Sequence, residues 1–192
     1  MNRRPGVFLD RDGVLNRDVG YPHLVADAIL FEDVIPALKR FQHAGYVLVV
    51  VSNQSGVARG FFSIDEVSRF NGAIVRQLHR AHIRITSKNF YVCPHGPQDQ
   101  CNCRKPEPGL LLRAARQHRI DLRRSLTIGD RENDIEAGRR VGTKTVFLNR
   151  DRKRHKTKAD LVVTSLLDVA EIIERSGRSD MPATLQRRLP LD

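Results

Sequence analysis

A chain of 192 residues is long enough for one well-formed core and short for two. Its composition, 40% hydrophobic and 29% charged with no run near the ~20 apolar residues of a membrane span, excludes disordered and membrane-spanning classes. The formal charge of +11 invites a polyanion, whether nucleic acid or a phosphorylated substrate, yet 6% aromatics and no tryptophan leave little for a single-strand stacking platform.

The opening MNRRPGVF lacks an apolar signal core, so a cytoplasmic protein is expected. VFLDRDGVLN (7–16) then reads as a short buried strand that stops at Asp10-Arg11-Asp12-Gly13. Residues 17–30 lack periodicity and contain Gly20-Tyr21-Pro22, which predicts a loop over that strand end. DVIPALKRFQHA (33–44) places Val34, Leu38 and Phe41 on one helical face, closed by Gly45. YVLVVVSNQSG (46–56) is a near-continuous β-branched strand of the kind buried on both faces of a parallel sheet. A long helix follows from Ser63 to about His82, opened by a capping box of Ser63 and Glu66. Strand 89–92, helix 109–119, strand 125–130, helix 133–142, strands 143–149 and 161–164 and helix 166–175 complete the pattern. This alternation predicts an α/β fold, a doubly wound and mostly parallel sheet in one domain. The basic run RDRKRHK (150–156) and the Arg-rich tail 176–192 read as solvated segments.

Chemistry collects where the predicted strands end. Asp10 and Asp12 would sit at the carboxyl end of the first strand, where open α/β sheets place their ligands. Two carboxylates so close repel unless a cation or a shared proton offsets them, which suits one as nucleophile or metal ligand and the other as proton donor. A capped turn is the plain alternative, since Asp and Gly are ordinary turn residues. The second strand ends in Ser52-Asn53-Gln54-Ser55-Gly56, a cluster of donors suited to phosphate oxygens. Another ends in Gly129-Asp130, with Asp134 one helical turn on, and Arg104-Lys105-Pro106 precedes a helix. Together these form a kit for Mg²⁺-assisted phosphoryl transfer.

DRDGVLN, VVSNQSG, CRKP and IGDRENDIEAG resemble, in order and spacing, the four motifs of the haloacid dehalogenase superfamily of phosphatases. The resemblance spans residues 7 to about 149 and implies a Rossmann-like phosphatase domain over 1–175 without a large cap. It implies that Asp10 is the nucleophile and Asp12 the general acid and base, with Ser52 and Lys105 stabilising the phosphoryl group. Mg²⁺ would be held by Asp10, the carbonyl of Asp12 and Asp130, with Asp134 supporting the metal shell.

All three cysteines lie in Cys93-Pro-His95-Gly-Pro-Gln-Asp-Gln-Cys101-Asn-Cys103. Three thiols and one imidazole can supply the four ligands of a closed, structural Zn²⁺ site. Three reduced thiols beside a solvated histidine are the alternative. A zinc loop here would position Arg104 and Lys105. Such a loop on a phosphatase with small insertions resembles the heptose-bisphosphate phosphatases and their relatives, the histidinol-phosphate phosphatases. SNQSGVARG, Asp18-Val19-Gly20-Tyr21 and RKPEPGLL are close to the heptose branch, whereas the short His95–Cys101 loop and Arg131 are closer to the histidinol branch.

The resemblance implies a substrate pocket of Asp18, Val19, Gly20, Tyr21, Ser52, Asn53, Gln54, Ser55 and Arg104, with Arg131 available to a second phosphate. The expected partner is a small phosphorylated sugar, acted on by a monomer, with no membrane and no nucleic acid. Arg59, Arg104 and Arg131 favour a bisphosphate, because histidinol phosphate carries cations that would seek carboxylates. A phospho-aspartate receiver or a basic zinc-containing binding module are the non-enzymatic alternatives. A receiver has no reason to carry the zinc loop or a second acid after Asp10. A binding module's cations should line an exposed helix or knuckle, whereas Arg104 and Lys105 fall in the register of the phosphatase motifs.

Overall fold

Strands β1 (Gly6–Leu9), β2 (Val47–Asn53), β3 (Phe90–Cys93), β4 (Leu126–Gly129), β5 (Lys144–Leu148) and β6 (Leu161–Val163) form one sheet in the order β3-β2-β1-β4-β5-β6. The computed structural model describes residues 3–153 and 155–175. Every strand pairing is parallel, with Leu9 opposite Val50 on one side and Ile128 on the other. Helices α1 (Val34–His43), α2 (Ile64–Arg80), α3 (Gly109–His118), α4 (Glu132–Arg140) and α5 (Leu166–Arg175) alternate with them.

Side chains leave a strand on alternate faces, so β1 feeds two cores. Val7 and Leu9 pack with Leu38 and Phe41 of α1, Phe70 and Ile74 of α2, and Val169 of α5. Phe8 packs on the other face with Val49, Val51, Leu111 and Ala114 of α3, and Ala137 of α4. With helices on both faces, β2 is apolar and buried from Val47 through Val51, as the β-branched run predicts. Ser63 caps α2, accepting from the Glu66 amide while Glu66 accepts from the Ser63 amide at 2.8 Å.

From β1 the chain winds outward through β2 and β3, then returns to lay β4 against the other side of β1. The winding direction reverses between β1 and β4, and the loops leaving these strands diverge to open a crevice there. Among the described residues no separate cap covers that edge, and no helix is long and apolar enough to cross a membrane. The tail expected to be loose, 176–192, lies outside the described residues.

The basic run departs from expectation at its first residue. Arg150 is largely buried, donates to both oxygens of Asp33 at 3.0 Å, and lies 4.0 Å over the Phe31 ring. It also donates to the carbonyls of Gly13 (3.2 Å) and Val14 (3.0 Å), so it ties the loop after β5 to the turn after β1. Asp33 accepts as well from Ser165 and the Leu166 amide at the start of α5.

Candidate active site

The floor of the crevice is a buried charge cluster. Lys105, 4% exposed, places Nζ 2.6 Å from Asp10 Oδ1 and 2.5 Å from Asp134 Oδ1, and donates to the Val51 carbonyl. Burial would push this lysine down, but the two carboxylates outweigh it and hold its pKa above the usual range, so it stays protonated. Asp134 spends its second oxygen on the Arg131 amide. Asp10 is raised from 3.8 to about 8, first by burial and then by Asp134, Asp130 and Asp12, against the pull of Lys105. Asp130 is raised to about 6 by burial and Asp134.

One cation for three carboxylates leaves the cluster short of positive charge. Oxygens of Asp10, Asp130 and Asp134 lie within 4.8 Å of one another, and Asp130 Oδ1 is buried without a hydrogen-bond partner. An orphaned carboxylate oxygen costs on the order of 1–3 kcal/mol or more, so this oxygen-donor set fits a hard divalent cation. Two glycines make the crowding possible. A Cβ on Gly13 (φ +81°) would overlap the Asp130 carboxylate, and one on Gly129 would overlap Asp134.

Asp12 is offset separately. Its Oδ1 accepts from Arg11 Nε (2.9 Å) and Asn16 Nδ2 (2.9 Å), and its Oδ2 from Arg11 (2.8 Å) and Gln54 Nε2 (2.8 Å). The repulsion expected between Asp10 and Asp12 is thus answered by two different cations. Gln54 Nε2 also donates to Ser52 Oγ at 2.7 Å, which aims the hydroxyl-bearing end of β2 at the same space.

Above the floor opens a cavity of about 370 Å³. Its far wall is the irregular segment after β1, where Asp18, Gly20, Tyr21 and Pro22 line the space. Aromatic edges hold this wall. Tyr21 meets Phe61 edge-on at 5.2 Å and His23 stacks on Phe62 at 4.8 Å. Phe62 in turn fits against Gly56, where a Cβ would strike its ring. At the mouth, Arg131 reaches Asp18 at 2.7 Å, with Arg59 and Arg104 also lining the cavity.

The segment after β3 brings four soft ligands together. Cys93 Sγ lies 3.7 Å from Cys101 Sγ and 3.2 Å from Cys103 Sγ, and His95 Nδ1 lies 3.2 Å from Cys103 Sγ. These separations are too long for disulfides and near the edge lengths of a tetrahedron about one metal, roughly 3.8 Å for thiolates at 2.3 Å. Burial pushes the Cys93 thiol far up. At Cys101 burial is outweighed by hydrogen bonds from the Cys103 and Arg104 amides, which lower it to about 7. The donor set fits Zn²⁺, whose charge would offset the cost of a buried thiolate. Arg104 donates to the His95 carbonyl at 3.2 Å. Asn53 clamps the next residue, its amide meeting the Lys105 carbonyl and N–H at 3.0 Å each.

A family profile described as HAD-hydrolase-like matches residues 102–169. The D-glycero-beta-D-manno-heptose-1,7-bisphosphate 7-phosphatase of Haemophilus ducreyi is 38% identical over 180 residues, 88% of this chain and 98% of that protein. The chain belongs to the heptose-1,7-bisphosphate 7-phosphatase family of haloacid dehalogenase-like hydrolases. The Haemophilus influenzae phosphatase of the same name is 36% identical over 179 residues, 88% of this chain and 96% of that one. Among solved structures, the D,D-heptose 1,7-bisphosphate phosphatase of B. bronchiseptica, complexed with magnesium and phosphate, superposes with a TM-score of 0.77 at 28% identity. The alignment covers 90% of this chain and 99% of that one.

In this member of the heptose-bisphosphate phosphatase family, Asp10, Asp12, Asp18, Gly20, Tyr21, Ser52, Asn53, Gln54, Ser55, Arg104, Lys105 and Arg131 all line the one cavity. Asp130 sits behind them against Gly13. Val19 is the exception: it is 60% exposed and lies outside the lining. The chain turns sharply just after it, with Gly20 (φ +75°) and Tyr21 (φ +55°) both in the left-handed region, and this bend leaves Val19 outside while Asp18, Gly20, Tyr21 and Pro22 line the cavity. Asn53 lines the cavity, but its amide is spent on the Lys105 backbone. Pro22 and Asn133 are lining residues that the motifs did not single out, although Asn133 stands inside GDREND. Arg11 is the larger omission, for DRD reads as two acids around a variable position.

Proposed function

We propose that this chain is a Mg²⁺-dependent phosphomonoesterase that removes the 7-phosphate of D-glycero-D-manno-heptose 1,7-bisphosphate. The product is heptose 1-phosphate, for nucleotide-activated heptose synthesis. The observation that carries this reading is the buried Asp10–Lys105–Asp134 cluster on the floor of a cavity rimmed by three arginines.

Asp10 attacks phosphorus to form an aspartyl phosphate as the bond to the sugar oxygen breaks, and Asp12 gives that oxygen its proton. Asp12 then takes a proton from the water that attacks the phosphoaspartate, releasing phosphate and restoring Asp10. Ser52 Oγ and Lys105 Nζ face the transferring group, where donors and positive charge stabilise the charge that develops. Mg²⁺, when held by Asp10, the Asp12 carbonyl and Asp130, supplies the positive charge that the cluster lacks. Asp134 orients Lys105, since both of its oxygens are already engaged. Cys93, His95, Cys101 and Cys103 would hold Zn²⁺, which when bound would stiffen the loop that presents Arg104 and Lys105.

Arg59, Arg104 and Arg131 suit the phosphate that stays. Histidinol phosphate is the second reading, favoured by the short His95–Cys101 loop and by Arg131. Its amine and imidazole need carboxylates. Of the acids lining the cavity, Asp10, Asp12 and Asp134 belong to the floor, and Asp18 is paired with Arg131. Comparing kcat/KM for the two substrates tests the assignment: the bisphosphate should win by at least about tenfold, and a tenfold win for histidinol phosphate would sink it. Asp10→Asn should abolish phosphate release in a protein with an unchanged circular dichroism spectrum. Metal analysis should find one zinc per chain, and full activity with substoichiometric zinc would remove that part.

A further inference from the structure

Arg11 is fully buried, the largest fully buried side chain among the described residues. Burying a guanidinium is costly unless its charge and its donors are matched. Here the matching is spread over three parts of the chain. Nε and one terminal nitrogen grip both oxygens of Asp12, and that nitrogen also reaches the Pro22 carbonyl at 3.0 Å. The other terminal nitrogen donates to Asn71 Oδ1 at 3.1 Å, and the guanidinium lies 4.3 Å over the Phe70 ring. Asn71 and Phe70 belong to α2, and Pro22 to the cavity wall.

Asp12 therefore has four donors, and they are not equivalent. Those from Arg11 and Asn16 come from side chains with no exposure, outside the cavity lining. Only Gln54 approaches from the cavity. We propose that Arg11, buttressed by Asn71 and Phe70, is a positioning residue that holds the Asp12 carboxylate in the one orientation presenting Oδ2 to the leaving oxygen. A planar fork suits this task because it fixes both oxygens of a carboxylate at once, which a lysine's point charge does not. The inference rests on the reading of Asp12 as the proton donor.

The test is the leaving-group dependence of Arg11→Lys, in the full chain with its metals. kcat/KM reports the steps through departure of the leaving group. An alkyl phosphate such as the heptose ester needs a proton at that step, and p-nitrophenyl phosphate does not. A misaimed acid should lower kcat/KM for the heptose ester by about 30- to 100-fold, and that for p-nitrophenyl phosphate by less than about threefold. Equal losses on both substrates would reduce Arg11 to a structural residue, and no loss on either would make it idle; each overturns the proposal.

Asn71→Ala keeps the ion pair, removes the buttress, and stands in if Arg11→Lys fails to fold. It should show the same selectivity on a smaller scale, and an unselective effect or none overturns the proposal. Asp12→Asn supplies the reference. If it keeps full activity on the alkyl ester, the proton-donor reading itself falls. If it is selective while the Arg11 and Asn71 variants are not, only this inference fails.

Discussion

Two ion pairs of nearly equal length stand at opposite ends of one cavity. On the floor, Lys105 meets Asp10 at 2.6 Å with the two side chains 4% and 11% exposed. At the mouth, Arg131 meets Asp18 at 2.7 Å with side chains 66% and 28% exposed. Distance does not separate them; solvent does. Water and salt screen the mouth pair, which contributes little and can exchange one anion for another. The floor pair is desolvated, and Lys105 is the cation that both Asp10 and Asp134 share, so removing it leaves buried acids without a counter-charge. The floor is built for fixed geometry, and the mouth for contacts that a substrate can replace.

Lys105→Met breaks the floor most directly. It should lower kcat by about 100- to 1000-fold, and the uncompensated carboxylates should destabilise the metal-free fold by about 3–5 kcal/mol in urea titrations. A stable, active Lys105→Met protein would show that the floor is no more demanding than the mouth.

The pH dependence sharpens the same contrast. In the metal-free protein Asp10 is held up at about 8 and Asp130 at about 6, against an ordinary 3.8. The folded chain then binds protons more tightly than the unfolded one between about pH 4 and pH 8. This contribution to stability is full at the acid end and is lost as pH rises through the folded values. Thermal melts in chelator should show Tm falling over that range. Added Mg²⁺ should raise Tm more at pH 8 than at pH 5.5, because at pH 5.5 it competes with bound protons.

Arg150→Ala tests how far the floor extends. Loss of its bonds to Asp33, Gly13 and Val14 should cost about 2–3 kcal/mol. Asp33 titrates with the opposite sign. Burial alone would raise it, but Arg150 and the Leu166 amide outweigh that and lower it. Its contribution is therefore present above its unfolded pKa and lost as pH falls. The cost of Arg150→Ala should accordingly shrink in acid, which denaturant titrations at pH 7 and pH 3 would reveal. The smallest effect on stability belongs to the mouth. Arg131→Ala should change it by less than about 0.5 kcal/mol, while raising KM for the bisphosphate about tenfold with kcat nearly unchanged.

Much of this was legible along the chain, because it rests on local patterns. Strand ends were marked by apolar runs breaking at Asp10, Asn53 and Gly129, and a parallel sheet brings all of those ends to one edge. The cysteine cluster was legible because its four sulfur and imidazole side chains lie within eleven residues, Cys93 to Cys103. Arg11 was hidden because its meaning depends on Asn71, 60 residues away on another layer. Arg150 was hidden inside a basic run that looks solvated, and its target Asp33 lies 117 residues earlier. Val19 shows the converse, a motif residue that the loop turns away.

Residue types at strand ends were enough to suggest the chemistry proposed above, since two acids, a hydroxyl and a lysine stand out by identity and spacing. Which cation serves which carboxylate was a matter for the folded molecule alone. Lys105 went to Asp10 and Arg11 to Asp12 because packing, not spacing, decides which charges share a space without water. In that space burial, and then the charges packed alongside, govern the behaviour of an acid more than its place in a motif.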